Sequence, residues 1–256
     1  MNRLAILMPA YNEGERLART LEELSGIADR ASITVILVDD GSHTPIDSAA
    51  AAKTLRGAKL VHARHAINLG QGAALETARR IALSLTRGKR ANQANLDPRF
   101  DAFITMDADG QHAAGSVLAL ADAIVRGADV ALGDRFGGAS NVPKSRRVLL
   151  GMARTFERWT TGLRLSDAHN GLRAFSPRAI EQMRLRQNRM AHATEITHWI
   201  ARHPSRRSAA PKLVVVEVPV SVRYTEESLA KGQGMTSALA IIADLVRSFF
   251  FGDEAR

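Results

Sequence analysis

Asp107 and Asp109, two carboxylates flanking a single alanine, are the most chemically pointed feature of the sequence. Oxygen donors at that spacing in a loop suit a hard cation such as Mg²⁺ or Mn²⁺. A cation held there can bridge a diphosphate and neutralise charge on a departing group. Gln111 and His112 follow closely enough to complete a coordination sphere. The same letters also suit an Asx-turn or a helix cap, so the pair alone does not decide between the two. Asp39-Asp40-Gly41-Ser42 is open in the same way: one aspartate could accept hydrogen bonds from a base or ribose, the other could cap a helix.

Two more clusters are unusual. Pro9-Ala10-Tyr11-Asn12-Glu13 could hold a base, with Tyr11 as a stacking face, or be a plain strand-to-helix turn. Asn68-x-Gly70-x-Gly72 lets backbone approach a ligand closely. It lacks the Gly-Lys-Ser/Thr ending of a Walker loop and the G-x-G-x-x-G of a dinucleotide site.

These residues need elements to position them. The spacing predicts strands over 3–8, 33–38, 59–62, 103–106 and 129–132, the second being a continuous β-branched run of the buried-parallel type. Helical spacing is expected over 15–28, 47–55, 73–85 and 117–125, and 86–99 reads as a loop ending in Asp97-Pro98. Alternating strands and helices predict an α/β fold: a mostly parallel sheet with helices on both faces. Ligands of such sheets bind beyond the carboxyl ends of the strands. Every polar cluster above directly follows an expected strand, so all should converge on one rim. After Gly133 the pattern changes. Helices are expected over 148–160 and 191–201, a basic loop over 203–211, and a strand over 213–222 that Pro219 assigns to a sheet edge. A last helix is expected over 238–251.

Bulk properties narrow the partners. The chain has 256 residues and a formal net charge of +9, which suits nucleic acid, an anionic membrane or a phosphorylated substrate. Aromatics are only 5%, without arginine-aromatic interleaving, so nucleic acid is not expected. There is no cysteine, which excludes disulfides and cysteine-held zinc and is compatible with a cytoplasmic setting. No secretory signal is read at the amino end, and no apolar run is long enough for a transmembrane helix.

Taken in order, the clusters resemble the family 2 glycosyltransferases of the GT-A fold, and within them the branch of dolichyl- or undecaprenyl-phosphate sugar transferases. The resemblance runs through Pro9-Ala10-Tyr11-Asn12-Glu13, Val38-Asp39-Asp40-Gly41-Ser42, Asn68-Leu69-Gly70-Gln71-Gly72 and Asp107-Ala108-Asp109-Gly110-Gln111-His112. It continues through Gly133-Asp134-Arg135, Asn170-Gly171-Leu172-Arg173-Ala174-Phe175 and Glu217-Val218-Pro219-Val220. It implies a GT-A domain over 1–235, with a nucleotide-sugar half over 1–135 and an acceptor half over 136–235, followed by an amphipathic helix and tail over 236–256. By the same resemblance Asp39 or Asp40 binds the nucleoside of a UDP- or GDP-sugar, with Pro9, Tyr11, Glu13 and Gly70 around it. Asp107, Asp109 and Gln111 hold Mg²⁺ or Mn²⁺ against the diphosphate, and Arg135 meets a phosphate. Gln71 departs from a common Lys, and Asn170 from a common Ser before Gly.

The expected chemistry is inverting displacement of the nucleoside diphosphate. A sugar-hydroxyl acceptor needs a base, for which Asp134, Asp167 and Glu195 are candidates; an ionised lipid phosphate needs mainly cations. Lys144, Arg146, Arg147, Arg154 and Arg158 favour the lipid phosphate, although a solvated basic face explains them equally. The polar stretch 224–234 is by resemblance a mobile loop beside the substrates. The 238–251 helix, with Phe249-Phe250-Phe251, either packs in the core or a dimer, or contacts a membrane surface or a membrane-protein partner. Peripheral attachment at the inner face of the cell membrane would follow from the last. A glycan-hydroxyl acceptor in polysaccharide synthesis and a non-catalytic regulator of the same fold are the alternatives. A nucleotidyltransferase is disfavoured, because the loop after the first strand lacks glycine before Gly14.

Overall fold

The computed structural model describes residues 1–87, 100–137, 151, 155, 158–159, 161–163, 165–167, 170–188, 191–203 and 211–223. In chain order its elements are β1 (Arg3–Ala10), α1 (Glu15–Ser25), β2 (Ser32–Asp39), α2 (Ser48–Thr54), β3 (Lys59–Arg64), α3 (Gln71–Arg87), β4 (Ala102–Thr105) and α4 (Ala114–Val125). Then come β5 (Val130–Asp134), β6 (Arg173–Phe175), α5 (Pro177–Gln182), α6 (Ala191–Arg202) and β7 (Val215–Pro219).

The strands form one sheet in the order β3-β2-β1-β4-β6-β5-β7. β1 and β2, the most continuously apolar strands, sit inside it, where both faces are covered. Their alternation divides the core in two. Leu4, Ile6 and Met8 pack with Leu17 and Leu21 of α1 and Val117 and Leu120 of α4. Ala5 and Leu7 face the opposite way, toward Ala74 and Ala78 of α3 and Ile196 of α6. Helices therefore cover both faces, as the alternating pattern predicts.

Register brings the chemistry together. Ala10 lies opposite Asp39, and Leu7 opposite Thr105, so the loops after β1, β2 and β4 leave the sheet at one rim. β7 pairs with β5 and forms an edge, and Pro219 ends it where a missing N–H costs nothing.

Two elements escape the sequence pattern. β6 runs antiparallel between β4 and β5, the one reversed strand among those described. With three residues it is too short to show a period. α5 has six residues and rests on a local device: Ser176 caps it by accepting from the Ala179 N–H, and Pro177 opens the first turn. Expected boundaries also shift. α3 extends through 71–87 because Gly70 and Gln71 belong to its start, and α4 begins at Ala114. Of the helix expected over 148–160, the described residues 151, 155, 158 and 159 are helical. Lys144, Arg146, Arg147 and Arg154, the loop 224–234 and the helix 238–251 lie outside the described residues.

Candidate active site

The loop after β2 is built around Asp39, which is fully buried. Its Oδ1 accepts from the Ser42 N–H at 2.8 Å, and its Oδ2 from the Ile46 N–H at 3.3 Å and Arg64 Nε at 3.0 Å. Burial alone would raise its pKa, but these donors outweigh burial and hold the carboxyl below its ordinary value. Asp40 reaches the other way. Its Oδ1 accepts from the Leu69 N–H at 3.0 Å and faces His65 Nδ1 at 2.7 Å, and its Oδ2 accepts from the Gly70 N–H at 2.7 Å. Asp40 thus ties the end of β2 to the start of α3. Gly41, at φ +73°, passes so close to Ile67 that a Cβ would lie 2.5 Å from its carbonyl carbon. The loop after β1 is stitched on by Asn12, whose N–H donates to Ser42 Oγ and whose Oδ1 accepts from the His43 N–H.

Between these loops and β4 lies a pocket of ≈ 400 Å³ lined by Pro9, Tyr11, Glu13, Asp40, Gly70, Gln71, Asp107 and Asp109 among others. Tyr11 is partly exposed at its edge and leans toward His43, ring centres 6.0 Å apart. Glu13 pairs with Arg16 at 2.7 Å. Asp39, although expected beside the nucleoside, is not part of the lining, because its carboxylate is turned into the loop it organises. A second cleft, ≈ 440 Å³ between α1 and α2, carries neither acidic pair in its lining.

Asp107 and Asp109 form the pocket's acidic end. Gln71 Nε2 donates to Asp107 Oδ1 at 2.7 Å, while Oδ2 lies against Gly171, where a Cβ would come within 2.2 Å of it. Asp109 accepts from the Gln111 N–H at 3.0 Å and from Gln111 Nε2 at 2.6 Å. Burial raises the pKa of Asp107 against the opposing pull of Arg173 and Arg135. Burial also raises that of Asp109, and the charge of Asp107 raises it further. Two half-buried carboxylates on a pocket wall, the charge of Asp107 opposing the ionisation of Asp109, have the donor chemistry of a hard-cation site. His112 does not join them. Among the described residues no three His, Asp or Glu side chains converge as a metal group. His112 is held instead in an antiparallel bridge with Val222, buried, its Nδ1 without a hydrogen-bond partner. Burial, assisted by Arg135, pushes its pKa down to about 4 and keeps it neutral.

Arg135 and Asp167, expected to contact phosphate and to act as a base, are bound to each other. Asp167 Oδ2 accepts from Arg135 Nε at 2.5 Å, from the Arg135 N–H at 3.1 Å and from Asn170 Nδ2 at 3.2 Å. Glu217 of β7 in turn accepts from the Ser166 and Asp167 N–H groups. The pair stands near the acidic end, since the charges of both are felt at His112 and that of Arg135 at Asp107. Arg173, almost fully buried on β6, is a second cation whose field reaches Asp107. In the sequence it is one letter of the Asn170–Phe175 run, with no role predicted for it. Its signal was a lone arginine in an otherwise apolar run, Leu172-Arg173-Ala174-Phe175.

A seven-stranded, mostly parallel sheet with acidic loops at its carboxyl rim is the architecture of a GT-A glycosyltransferase. Residues 5–184 match the Glycosyl transferase family 2 domain, and the chain belongs to that family. It is 28% identical over 239 residues to the polyprenol monophosphomannose synthase of Mycolicibacterium smegmatis, covering 91% of this chain and 82% of that one. It is also 28% identical over 247 residues to the undecaprenyl-phosphate mannosyltransferase of Micrococcus luteus, covering 94% and 91%. Among solved structures it resembles the glucosyl-3-phosphoglycerate synthase of Mycobacterium tuberculosis, crystallised with Mn²⁺, UDP and phosphoglyceric acid. The TM-score is 0.60 and the identity 16%, over 99% of this chain and 80% of that one. The chain is thus an enzyme of the glycosyltransferase class, related to polyprenyl-phosphate sugar transferases. No helix among the described residues is long and apolar enough to cross a membrane.

Proposed function

We propose that this enzyme moves a sugar, with inversion, from a nucleotide diphosphate sugar to a polyprenyl phosphate or related membrane-associated acceptor, and that it needs Mg²⁺ or Mn²⁺. The observation that carries the reading is the Asp107–Asp109 pair. Both carboxyls resist ionisation because of burial, and Asp109 also because of its neighbour, so a cation between them relieves a cost built into the fold. Oxygen donors from both residues fit such an ion. Gln111 adds a third if its amide turns its Oε1 inward, since its Nε2 now donates to Asp109. When bound, the metal neutralises charge on the donor diphosphate.

The remaining residues have work of their own. Tyr11, Glu13, Asp40 and Gly70 line the part of the pocket suited to the nucleoside, with Asp40 rather than Asp39 as the acceptor of its hydrogen bonds. Arg135, held by Asp167, supplies fixed positive charge beside the reacting groups. The carboxylates available as a base are already engaged. Asp167 serves Arg135 and Asn170, Asp134 accepts from the Phe136 N–H, and Glu195 accepts from the Arg186 and Gln187 N–H groups. That favours an acceptor that arrives ionised, as a lipid phosphate does, over a glycan hydroxyl. Such a substrate puts the enzyme at the cytoplasmic face of a membrane.

The test is transfer of label from UDP- and GDP-sugars to undecaprenyl or dolichyl phosphate, with Mn²⁺ or with EDTA, on wild type and Asp109→Ala. The reading expects a lipid-linked product that depends on the metal and is lost in the variant. Transfer to an oligosaccharide hydroxyl but not to lipid phosphate would overturn the acceptor assignment. Full activity in EDTA would overturn the metal.

A further inference from the structure

Asp40 has company that the proposed reaction does not use. His65, at the end of β3, is largely buried and bridges two elements. Its Nδ1 lies 2.7 Å from Asp40 Oδ1 and its Nε2 lies 2.9 Å from Thr77 Oγ1 on α3. The His65 N–H donates to the Asp39 carbonyl at 2.8 Å, which fixes the backbone below the ring. A carboxylate only accepts, so Nδ1 carries the proton shared with Asp40.

A carboxylate offers about four acceptor positions. Three on Asp40 are taken: Oδ1 by the Leu69 N–H and His65, Oδ2 by the Gly70 N–H. The one left is on Oδ2, and Asp40 lines the pocket. The two backbone donors alone come from a single turn, 69–70, on one side of the carboxylate. Among the described residues His65 is the only side chain that donates to Asp40, and Thr77 anchors it from the helix.

We infer that His65, braced by Thr77, is a positioning residue for the donor nucleoside: it fixes the carboxylate of Asp40 so that the remaining acceptor position on Oδ2 meets a hydroxyl or N–H of the nucleoside. The inference rests on the reading of the pocket as a nucleotide-sugar site and goes beyond it. His65 touches neither donor nor metal and acts through Asp40. The Asp107 and Asp109 carboxylates come from the loop after β4, and their link to this turn is the Gln71 side chain, which donates to Asp107.

The experiment is calorimetric titration of UDP and GDP in saturating Mn²⁺, alongside Mn²⁺ titration followed by electron paramagnetic resonance. The proteins are wild type, His65→Ala, His65→Asn and Thr77→Val. Losing one oriented, charge-assisted hydrogen bond should weaken nucleotide binding about 10- to 100-fold in His65→Ala. Asn can place an amide N–H near the former Nδ1, so His65→Asn should recover most of that loss. Thr77→Val, a near-isosteric change, should weaken nucleotide binding about 3- to 10-fold. Mn²⁺ affinity should stay within about twofold of wild type throughout, because no metal donor is touched. Nucleotide binding by wild type that persists unchanged in His65→Ala and Thr77→Val would overturn the inference and leave the donor site standing. Equal losses of Mn²⁺ and nucleotide binding, or no recovery in a folded His65→Asn, would assign His65 a general structural role and overturn it as well. Wild type that binds neither nucleotide would remove the donor-site reading, and the inference with it.

Discussion

The loops after β2 and β4 each present two aspartates to the same rim, and the two pairs are built to opposite ends. Around Asp39 and Asp40 the chain supplies three donors to each carboxylate: in all four backbone N–H groups, an arginine and a histidine. The charges are satisfied where they stand, and Asp39 ionises more readily than a free carboxyl despite its burial. Around Asp107 and Asp109 the donors seen among the described residues are two glutamine side chains and one N–H, and the charges of Arg173, Arg135 and Arg16 pull their pKa values down without overcoming burial. Those carboxyls ionise less readily. Aspartates at equivalent places in a sheet thus ionise more readily, as Asp39 does, or less readily, as Asp107 and Asp109 do, according to how many donors the fold brings to them.

The contrast is most easily broken at Asp109. Asp109→Ala should reduce sugar transfer by at least about 10²-fold, the scale of losing one preorganised electrostatic group at a reacting centre. The same variant should lose the rise in melting temperature that Mn²⁺ gives wild type, while melting no lower than wild type in EDTA. A large drop in EDTA would mean that Asp109 is a clamp like Asp39. The converse change, Asp39→Asn, should cost roughly 2–4 kcal/mol in urea unfolding, since at least one of its N–H partners and Arg64 lose a charged acceptor inside the protein. A loss of activity with unchanged stability would refute that assignment.

Titration sharpens the comparison further. Asp107 and Asp109 have raised folded pKa values, so the native state binds the extra protons. In EDTA their contribution therefore makes stability fall as pH rises through the folded pKa values, and it recovers on acidification. Asp39 has a lowered folded pKa. Its contribution is present above the unfolded value and is lost as pH falls through the folded one. Glu76 and Asp129, both held low, add to that acid limb. Urea midpoints across pH should show Asp107→Asn flattening the first slope and Asp39→Asn the second. The smallest effect is expected at Gln71→Lys. A cation next to Asp107 should weaken Mn²⁺ binding roughly tenfold, corresponding to ~1.4 kcal/mol of added repulsion. Unchanged Mn²⁺ affinity in that variant would show that Asp107 is not a metal donor.

Much of this arrangement could be read from the letters. Apolar runs mark β1 and β2, and the strand-then-acid order is enough to put Tyr11, Asp40 and Asp107 on one rim. What stayed hidden depends on where individual atoms turn. Asp39 and Asp40 are adjacent and chemically identical, yet one faces its own loop and the other the pocket, because alternate residues leave a strand on opposite sides. That Arg135 and Asp167 are partners, and that Gln71 donates to Asp107, follows from contacts between residues more than thirty positions apart. No local pattern encodes such meetings. β6 was missed because three residues carry no period, although its buried arginine marked the place.

That short reversed strand also bears on the order in which the enzyme can be made. β4 has β1 on one side and β6 on the other, and β5 has β6 and β7. On the ribosome, β1 to β4 can assemble as soon as they emerge, but β5 has no native neighbour until Arg173–Phe175 follows, and β4 keeps a bare edge over the same interval. A chain arrested before that point would carry the paired strands β1 to β4 with an open, apolar strand at their border, the kind of edge that pairs with other chains. Three residues thus close both edges at once, and slow translation before them is where aggregation of nascent chains should concentrate.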